Sequence, residues 1–129
     1  MKILAIVLAG GEGTRLYPLT AENPKPAIPF VNGYRIIDFV LSNLVNSRIA
    51  PIYVVGQYKP QSLVRHIETA WDRWSKGPEA KIRIVLPGAN GSQSQFRGTA
   101  DAVYQNLRLI AHHRPDIVAV FAADHVYRM

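Results

Sequence analysis

The chain has 129 residues, 48% of them hydrophobic and 19% charged, which is the composition of a globular domain and excludes a disordered tail. It contains no cysteine, which excludes disulfides and thiolate metal sites. Fifteen Lys and Arg against nine Asp and Glu give a net charge of +6. This charge fits an anionic partner such as a phosphate-bearing small molecule, and it fits equally a longer chain whose remainder balances it. The basic residues form no block or stripe, which argues against nucleic acid.

Four apolar runs of strand length lie along the chain. The first, residues 3–9, is continuous, as expected for a strand covered on both faces, and is far shorter than the roughly 20 residues of a membrane-spanning helix. Its basic start also fits a short signal peptide, but the glycine-rich segment that follows favours a strand. Two similar runs and one half-alternating run predict further strands at 51–56, 116–122 and 81–87.

Apolar residues at helical spacing separate these strands. They predict one helix around residues 37–45 and a second over 61–75, in which Trp71 and Trp74 act as packing anchors. A third helix opens after Gly98 and Thr99, with Thr99 as the expected N-cap.

The alternation of strands and helices predicts the fold class. It is typical of an α/β fold, a Rossmann-like parallel sheet with helices on both faces. Ligands of such sheets bind beyond the carboxyl ends of the strands, so the loops after residues 9, 56, 86 and 122 are the places to search.

Three glycines follow the first strand directly. Gly10, Gly11 and Gly13 permit backbone conformations that leave amide groups free to face an anion, and Arg15 adds a forked cationic donor suited to phosphate oxygens. The spacing is neither that of the dinucleotide fingerprint nor that of the Walker loop. Taken alone, these residues fit either a phosphate-binding loop or a tight turn without a ligand.

A longer match makes the first interpretation specific. The string LAGGEGTRL at residues 8–16, followed by PLT at 18–20 and KP at 25–26, resembles the signature of the sugar-1-phosphate nucleotidyltransferases. The resemblance continues through RIIDF, LSN, QY, RGTADAV and ADHVY at residues 35–39, 41–43, 57–58, 97–103 and 123–127. The last two strings look like the adenylyl branch of the family. Residues 1–129 are therefore expected to form the N-terminal nucleotide-binding part of a nucleotidyl transferase domain.

The resemblance implies a reaction and its partners. In the adenylyl branch an oxygen of glucose 1-phosphate attacks the α-phosphorus of ATP, which gives ADP-glucose for glycogen-type synthesis and releases pyrophosphate. Mg²⁺ is the implied cofactor, since phosphoryl transfer depends on positioning and charge neutralisation. The implied setting is a cytoplasmic, homo-oligomeric and allosteric enzyme.

The resemblance also implies roles for individual residues. Arg15, Lys25 and Asp124 are the expected catalytic residues, with Asp124 as a metal ligand and Lys25 held between two prolines in a stiffened, extended segment. Phe96 stands at a position that faces the sugar phosphate. Arg35 matches an effector-binding arginine, and a structural or salt-bridging role is the alternative. The expected nucleotide contacts are Leu8, Ala9, Gly10, Gly11, Gly13, Thr14, Arg15, Gly98 and Thr99.

The chain departs from the family pattern at three places. Gly88, Ala89 and Asn90 stand where the family commonly carries Ala-Gln-Gln, which affects the expected base contacts. Phe96 replaces a tyrosine, which removes a hydroxyl that could bond the sugar phosphate. Pro24 stands where alanine is frequent.

Other functions fit parts of the sequence. A nucleotidyltransferase that uses dTTP or GTP, a non-catalytic nucleotide-binding regulatory subunit and a basic nucleic-acid binder are the alternatives. The presence of Arg15, Lys25 and Asp124 favours catalysis over the regulatory role. Because the family continues beyond this point with a sugar-binding lobe, a second metal carboxylate and a β-helix domain, the 129 residues alone are expected to be an incomplete enzyme.

Overall fold

In a computed structural model, which describes residues 1–89, 95–126 and 128, the predicted strands form one parallel sheet. The predictions at Asn90 and Tyr127 lie outside these residues. The strands are β1 (Ile3–Ala9), β2 (Ile52–Gly56), β3 (Ile82–Val85) and β4 (Ile117–Ala122), and their order across the sheet is β3-β2-β1-β4.

The first strand is the centre of the sheet. Ala5 of β1 pairs with Ile52 of β2 on one side and with Ala119 of β4 on the other. Its side chains are almost all buried, as the continuous apolar run predicts for a strand with neighbours on both edges and helices on both faces.

The fourth strand is less covered than its sequence suggests. Its apolar run resembles that of β1, yet Ile117 is 44% exposed and Val120 is 50% exposed. The predicted strand is confirmed, and its exposure is explained by its place: β4 lies at the edge of the sheet formed by the described residues, and only β1 pairs with it.

Five helices flank the sheet in the described part of the chain. Their bounds are α1 (Ile37–Asn46), α2 (Gln61–Ala70), α3 (Asp72–Ser75), α4 (Thr99–Gln105) and α5 (Leu107–His113). The apolar residues of α1 and α2 pack on one face of the sheet with Ala5, Val7 and Ile52. Residues of α4 and α5 pack on the other face with Leu4, Ile6 and Val55. The predicted α/β fold with helices on both faces is confirmed.

Two predicted helices are each broken in two. The helix over 61–75 is interrupted at Trp71, where φ is −115° and ψ is 24°, and the Trp71 indole donates a hydrogen bond to Asp38 from this position. The third helix is interrupted at Asn106, whose side-chain amide donates to the carbonyl of Ala102 at 2.7 Å. A side chain that bonds the local backbone competes with regular helix, which explains the break.

The expected cap of the third helix is also wrong. Thr99 is the first helical residue, Gly98 takes the N-cap position and no side chain caps from there. The Asp101 carboxylate, in the first turn of α4, instead accepts a hydrogen bond from the Arg97 amide just before the helix, at 2.9 Å. No helix in the described ranges is long and apolar enough to cross a membrane.

The strand order defines where a ligand fits. The chain winds from β1 through β2 to β3 in one direction, then returns across the other face to place β4 beside β1. The direction of winding therefore changes between β1 and β4. In open α/β sheets the crevice at such a switch point, beyond the carboxyl ends of the strands, is where ligands bind.

Candidate functional site

A cleft of about 770 Å³ opens at this switch point. Its walls come from four segments that are far apart in sequence: the loop after β1, the loop after β2, the segment that leads into α4 and the residues after β4. The predicted site residues that line it are Leu8, Ala9, Gly10, Gly11, Gly13, Thr14, Arg15, Lys25, Phe96, Gly98, Thr99 and Asp124. Arg35 is the one predicted site residue that is not part of the lining.

The glycine loop (residues 10–15) leaves β1 and forms one wall of the cleft. Gly13 has a φ of +62°, and its carbonyl accepts a hydrogen bond from the Thr20 hydroxyl at 2.9 Å. A Cβ added at Gly13 would lie 2.9 Å from Thr20 Cγ2 and 3.1 Å from Lys25 Cβ. Gly11, in contrast, has no atom within 4 Å of an added Cβ. Packing within the chain therefore explains glycine at 13 but not at 11.

A pair of alanine variants separates these two glycines. Gly13→Ala is expected to lower the free energy of unfolding by about 2 kcal/mol, because a left-handed backbone and a close contact with Thr20 both oppose a side chain. Gly11→Ala is the matched control and should change stability by less than about 0.5 kcal/mol. Urea unfolding measures both, and equal stability of the two variants would contradict the assignment.

The loop continues into a short 3-10 turn, Thr14–Leu16, which carries Arg15. The Arg15 side chain is exposed and lines the cleft. Its guanidinium makes no hydrogen bond or ion pair with the residues that the structure describes, so five N–H donors are available to an anion.

Lys25 and Asp124 meet across the cleft. The Lys25 ammonium donates to Asp124 Oδ2 at 2.8 Å, although 99 residues separate the two. The hydrogen bond from Lys25 holds the pKa of Asp124 below its ordinary value, against the partial burial that raises it. Asp124 is therefore an anionic carboxylate at the carboxyl end of β4, within reach of the glycine loop.

The segment that presents Lys25 differs from the prediction. Pro24 is extended, with a φ of −65° and a ψ of 149°, but Lys25–Ala27 forms a second 3-10 turn. The extended conformation predicted for Lys25 is wrong because the fixed φ of Pro26 suits the start of a helical turn as well as an extended chain. Pro26 and Ala27 are buried, so the turn is held against the core while Lys25 faces the cleft.

Gln57 belongs to the QY string that matches the family, but the sequence predicted no role for it. It follows β2 directly, and its side-chain oxygen accepts a hydrogen bond from the Phe96 amide at 2.6 Å while its nitrogen donates to the Phe96 carbonyl at 3.3 Å. This two-point contact holds the segment before Gly98 at the mouth of the cleft. The sequence did contain a signal for this role, because Gln57 is a polar residue in one of the four loops predicted to surround a ligand.

The described residues contain no group of three or more His, Cys, Asp or Glu that could hold a metal ion. Among the described residues, Glu12 and Asp124 are the carboxylate residues that line the cleft, and Asp124 is the one at the carboxyl end of β4. Such a lining suits Mg²⁺, which usually keeps its waters and is held by one or two carboxylates together with substrate phosphates.

Comparison with known proteins shows the family. The sequence profile of the nucleotidyl transferase family matches residues 4–129. The chain belongs to this family. It is 56% identical over 128 residues to a glucose-1-phosphate adenylyltransferase of Thermodesulfovibrio yellowstonii. The aligned region covers 99% of this chain and 31% of that relative. It is 49% identical over 134 residues to the enzyme of that name from Thermus thermophilus, and the aligned region covers 100% of this chain and 32% of that relative.

The relatives are much longer than this chain. A glucose-1-phosphate adenylyltransferase of Corynebacterium glutamicum is 53% identical over 128 residues, covering 98% of this chain and 31% of its own length. The nucleotidyl transferase chain described here thus spans about a third of the length of the curated relatives that it matches. The resemblance found in the motifs is confirmed at the level of the family.

Arg35 lies behind the cleft wall of this nucleotidyl transferase. Its guanidinium Nη1 donates to the carbonyl of Ala27 at 2.5 Å, and its backbone amide donates to Asp38 Oδ2 at 2.7 Å. These contacts are structural. Within the described residues, the Arg35 guanidinium bonds a backbone carbonyl and forms no salt bridge with a carboxylate.

Asp38 is the centre of a buried hydrogen-bond cluster that we call the Asp38 hub (Asp38, His66, Trp71 and the Arg35 amide). Asp38 Oδ1 contacts His66 Nε2 at 2.6 Å and accepts from Trp71 Nε1 at 2.8 Å. Burial raises the pKa of Asp38, but the hydrogen bonds from His66, Arg35 and Trp71 outweigh it and bring the pKa below its ordinary value. The hub ties α1 to α2 and to the break before α3.

Proposed function

We propose that the protein transfers the adenylyl group of ATP to glucose 1-phosphate, giving ADP-glucose for α-glucan synthesis and pyrophosphate, and that this chain supplies the nucleotide-binding part of the site. The observation that carries the proposal is the convergence of the glycine loop, Lys25 and Asp124 on one cleft at the switch point. The names of the relatives supply the substrates.

The glycine loop and Arg15 suit the β- and γ-phosphates. Gly11 borders open space, so the main chain there is accessible to a ligand, and the Arg15 guanidinium is available to anionic oxygens. Charge on the pyrophosphate increases as the bond between the α-phosphorus and the bridging oxygen breaks. Donors fixed at that position stabilise the transition state more than the bound substrate.

Lys25 and Asp124 suit the centre of the reaction. The ammonium, 2.8 Å from Asp124, is placed to neutralise phosphate charge in the cleft beside the glycine loop. Asp124 would hold Mg²⁺ together with the phosphates, and the ion when bound would supply further neutralisation of the triphosphate. The residues thus perform positioning and charge stabilisation, which is what phosphoryl transfer requires of a protein.

The remaining wall suits the nucleoside and the sugar phosphate. Gly98 and Thr99 line the cleft at the start of α4, and an added Cβ at Gly98 would have no atom within 4 Å, which leaves room for a flat ring against the main chain. Phe96 also lines the cleft and offers an apolar ring there, without the hydroxyl of a tyrosine.

A substitution at Gln57 tests whether this wall of the cleft binds the nucleotide. Gln57→Ala removes both hydrogen bonds that hold Phe96, at about 1 kcal/mol each, so we expect the KM for ATP to increase by about tenfold with a smaller change in kcat. Steady-state kinetics of the whole protein measure it, with Gln61→Ala, an exposed residue at the start of α2, as the control. An unchanged KM would contradict a role for the Phe96 segment in nucleotide binding.

The proposed activity itself is tested with the whole protein. ATP, glucose 1-phosphate and Mg²⁺ are expected to yield ADP-glucose and pyrophosphate, and ATP should compete with dTTP and GTP for the site and outperform both. Product is measured by chromatography of the sugar nucleotide. Turnover that requires dTTP or GTP would assign the protein to another branch, and ATP binding without turnover would favour a regulatory subunit.

A further inference from the structure

We propose that Arg35 is a positioning residue for Lys25. Its guanidinium joins the turn that carries Lys25 to the Asp38 hub and thereby fixes where the Lys25 ammonium lies in the cleft. The inference rests on the proposed function, because it gives Arg35 a part in the same reaction.

The first link is between Arg35 and the Lys25 turn. Arg35 Nη1 donates to the carbonyl of Ala27, the last residue of that turn, at 2.5 Å. The backbone of Arg35 also forms an isolated antiparallel bridge with Pro29, two residues further along. Arg35 therefore fastens the segment that follows Lys25 through its side chain and its main chain.

The second link is between Arg35 and the core. Its amide donates to Asp38 Oδ2 at 2.7 Å, and Asp38, which is only 6% exposed, is held in turn by His66 and Trp71. Because α2 contributes His66, the position of Arg35 is set by packed helices and not by the surface loop in which it lies. A rigid second layer of this kind is what keeps reacting groups in place.

The third link runs from the turn to the cleft. Lys25 begins the turn that Arg35 fastens, and its ammonium reaches Asp124 Oδ2 at 2.8 Å. A lysine side chain has four rotatable bonds, so the position of its ammonium depends on where the backbone holds its Cα. A displacement of about 1 Å at such a group costs as much as 10²-fold in rate.

Arg35 does not line the cleft that the described residues form, whereas the other predicted site residues do. Within this part of the chain, an effect of Arg35 on the rate passes through a residue of the lining. Lys25 is the charged lining residue in the turn that Arg35 contacts.

The test is a double-mutant cycle in the whole protein, assayed without effectors. We expect Arg35→Ala to lower kcat by about tenfold or more, and Lys25→Ala to lower it further. In the double variant the Arg35→Ala change should add nothing to Lys25→Ala, because its effect operates through the lysine. Arg35→Lys, which keeps a donor for Ala27, should recover part of the rate. Arg108→Ala, an exposed arginine on α5, is the control.

Several results would overturn the inference. One is a wild-type kcat in Arg35→Ala, whether or not the response to an added nucleotide effector changes. Another is that Arg35→Ala lowers kcat by the same factor in the wild-type background and in the Lys25→Ala background. If Arg35→Ala does not fold, as judged by circular dichroism, Arg35→Gln is carried through the same cycle with the same criteria. The proposed function fails separately, since its failure appears as an inactive wild-type protein.

Discussion

Replacing Arg15 by alanine is expected to lower the kcat of the whole protein by about 10²–10³-fold while leaving the fold intact. The side chain is exposed at the cleft and has no partner among the described residues, so its removal breaks no contact that holds the chain together. What it removes is a forked donor aimed at charge that increases in the transition state.

Steady-state kinetics and thermal unfolding measured on the same preparation test the Arg15 prediction. Arg15→Lys keeps the charge but loses the fork, so it should recover only part of the rate. Arg73→Ala, at an exposed arginine on α3 that does not line the cleft, is the matched control and should behave as wild type. Near-normal turnover of Arg15→Ala would remove the residue from the proposed mechanism.

Replacing Asp38 by asparagine is expected to lower the free energy of unfolding by about 3 kcal/mol at neutral pH. The carboxylate accepts hydrogen bonds from the Arg35 amide and the Trp71 indole and contacts His66, and it is almost fully buried. An amide in its place offers one acceptor oxygen and turns two donors toward groups that are themselves donors. The loss is therefore larger than that of one ordinary hydrogen bond.

The Asp38 effect should depend on pH in a defined direction. Because the pKa of Asp38 is lower in the folded chain than in the unfolded one, its stabilisation is complete above the unfolded pKa of about 4 and is lost as pH falls through the folded value. Urea unfolding from pH 7 to pH 3 should show wild type and variant converging at the acidic end. Asp72→Asn, at an exposed carboxylate, should show no such convergence. A difference that is constant with pH would contradict the role of the hub.

Much of the fold follows from short-range patterns in the sequence. The continuous apolar run of residues 3–9 predicts a buried central strand, and strand-helix alternation predicts the parallel sheet; both are confirmed. The gathering of Gly10, Arg15 and Asp124 at one edge follows from the rule that parallel strands share their carboxyl ends.

The features that were missed depend on contacts that are distant in sequence or on side-chain competition. Nothing local indicates that Lys25 pairs with Asp124, or that Gln57 holds Phe96. The break at Asn106 arises from a side chain that bonds its own helix, which a pattern of apolar residues does not reveal.

The exposure of β4 was missed for a related reason. An apolar run indicates that a strand can be buried, but its place at the edge of the described sheet is a property of the topology. The Asp38 hub joins residues 35–38 to residues 66–71, so it too becomes visible only once α1 and α2 are packed together.

We propose that one triphosphate bridges the first and last strands of this chain. The decisive experiment is a crystal structure of the whole protein with Mg²⁺ and an ATP analogue whose α,β-bridging oxygen is replaced by methylene. We expect phosphate oxygens on the amides of residues 10–13 and on Arg15, with the metal on Asp124. An analogue bound elsewhere, or a nucleotide that touches the glycine loop while Asp124 remains remote from both metal and phosphates, would contradict it.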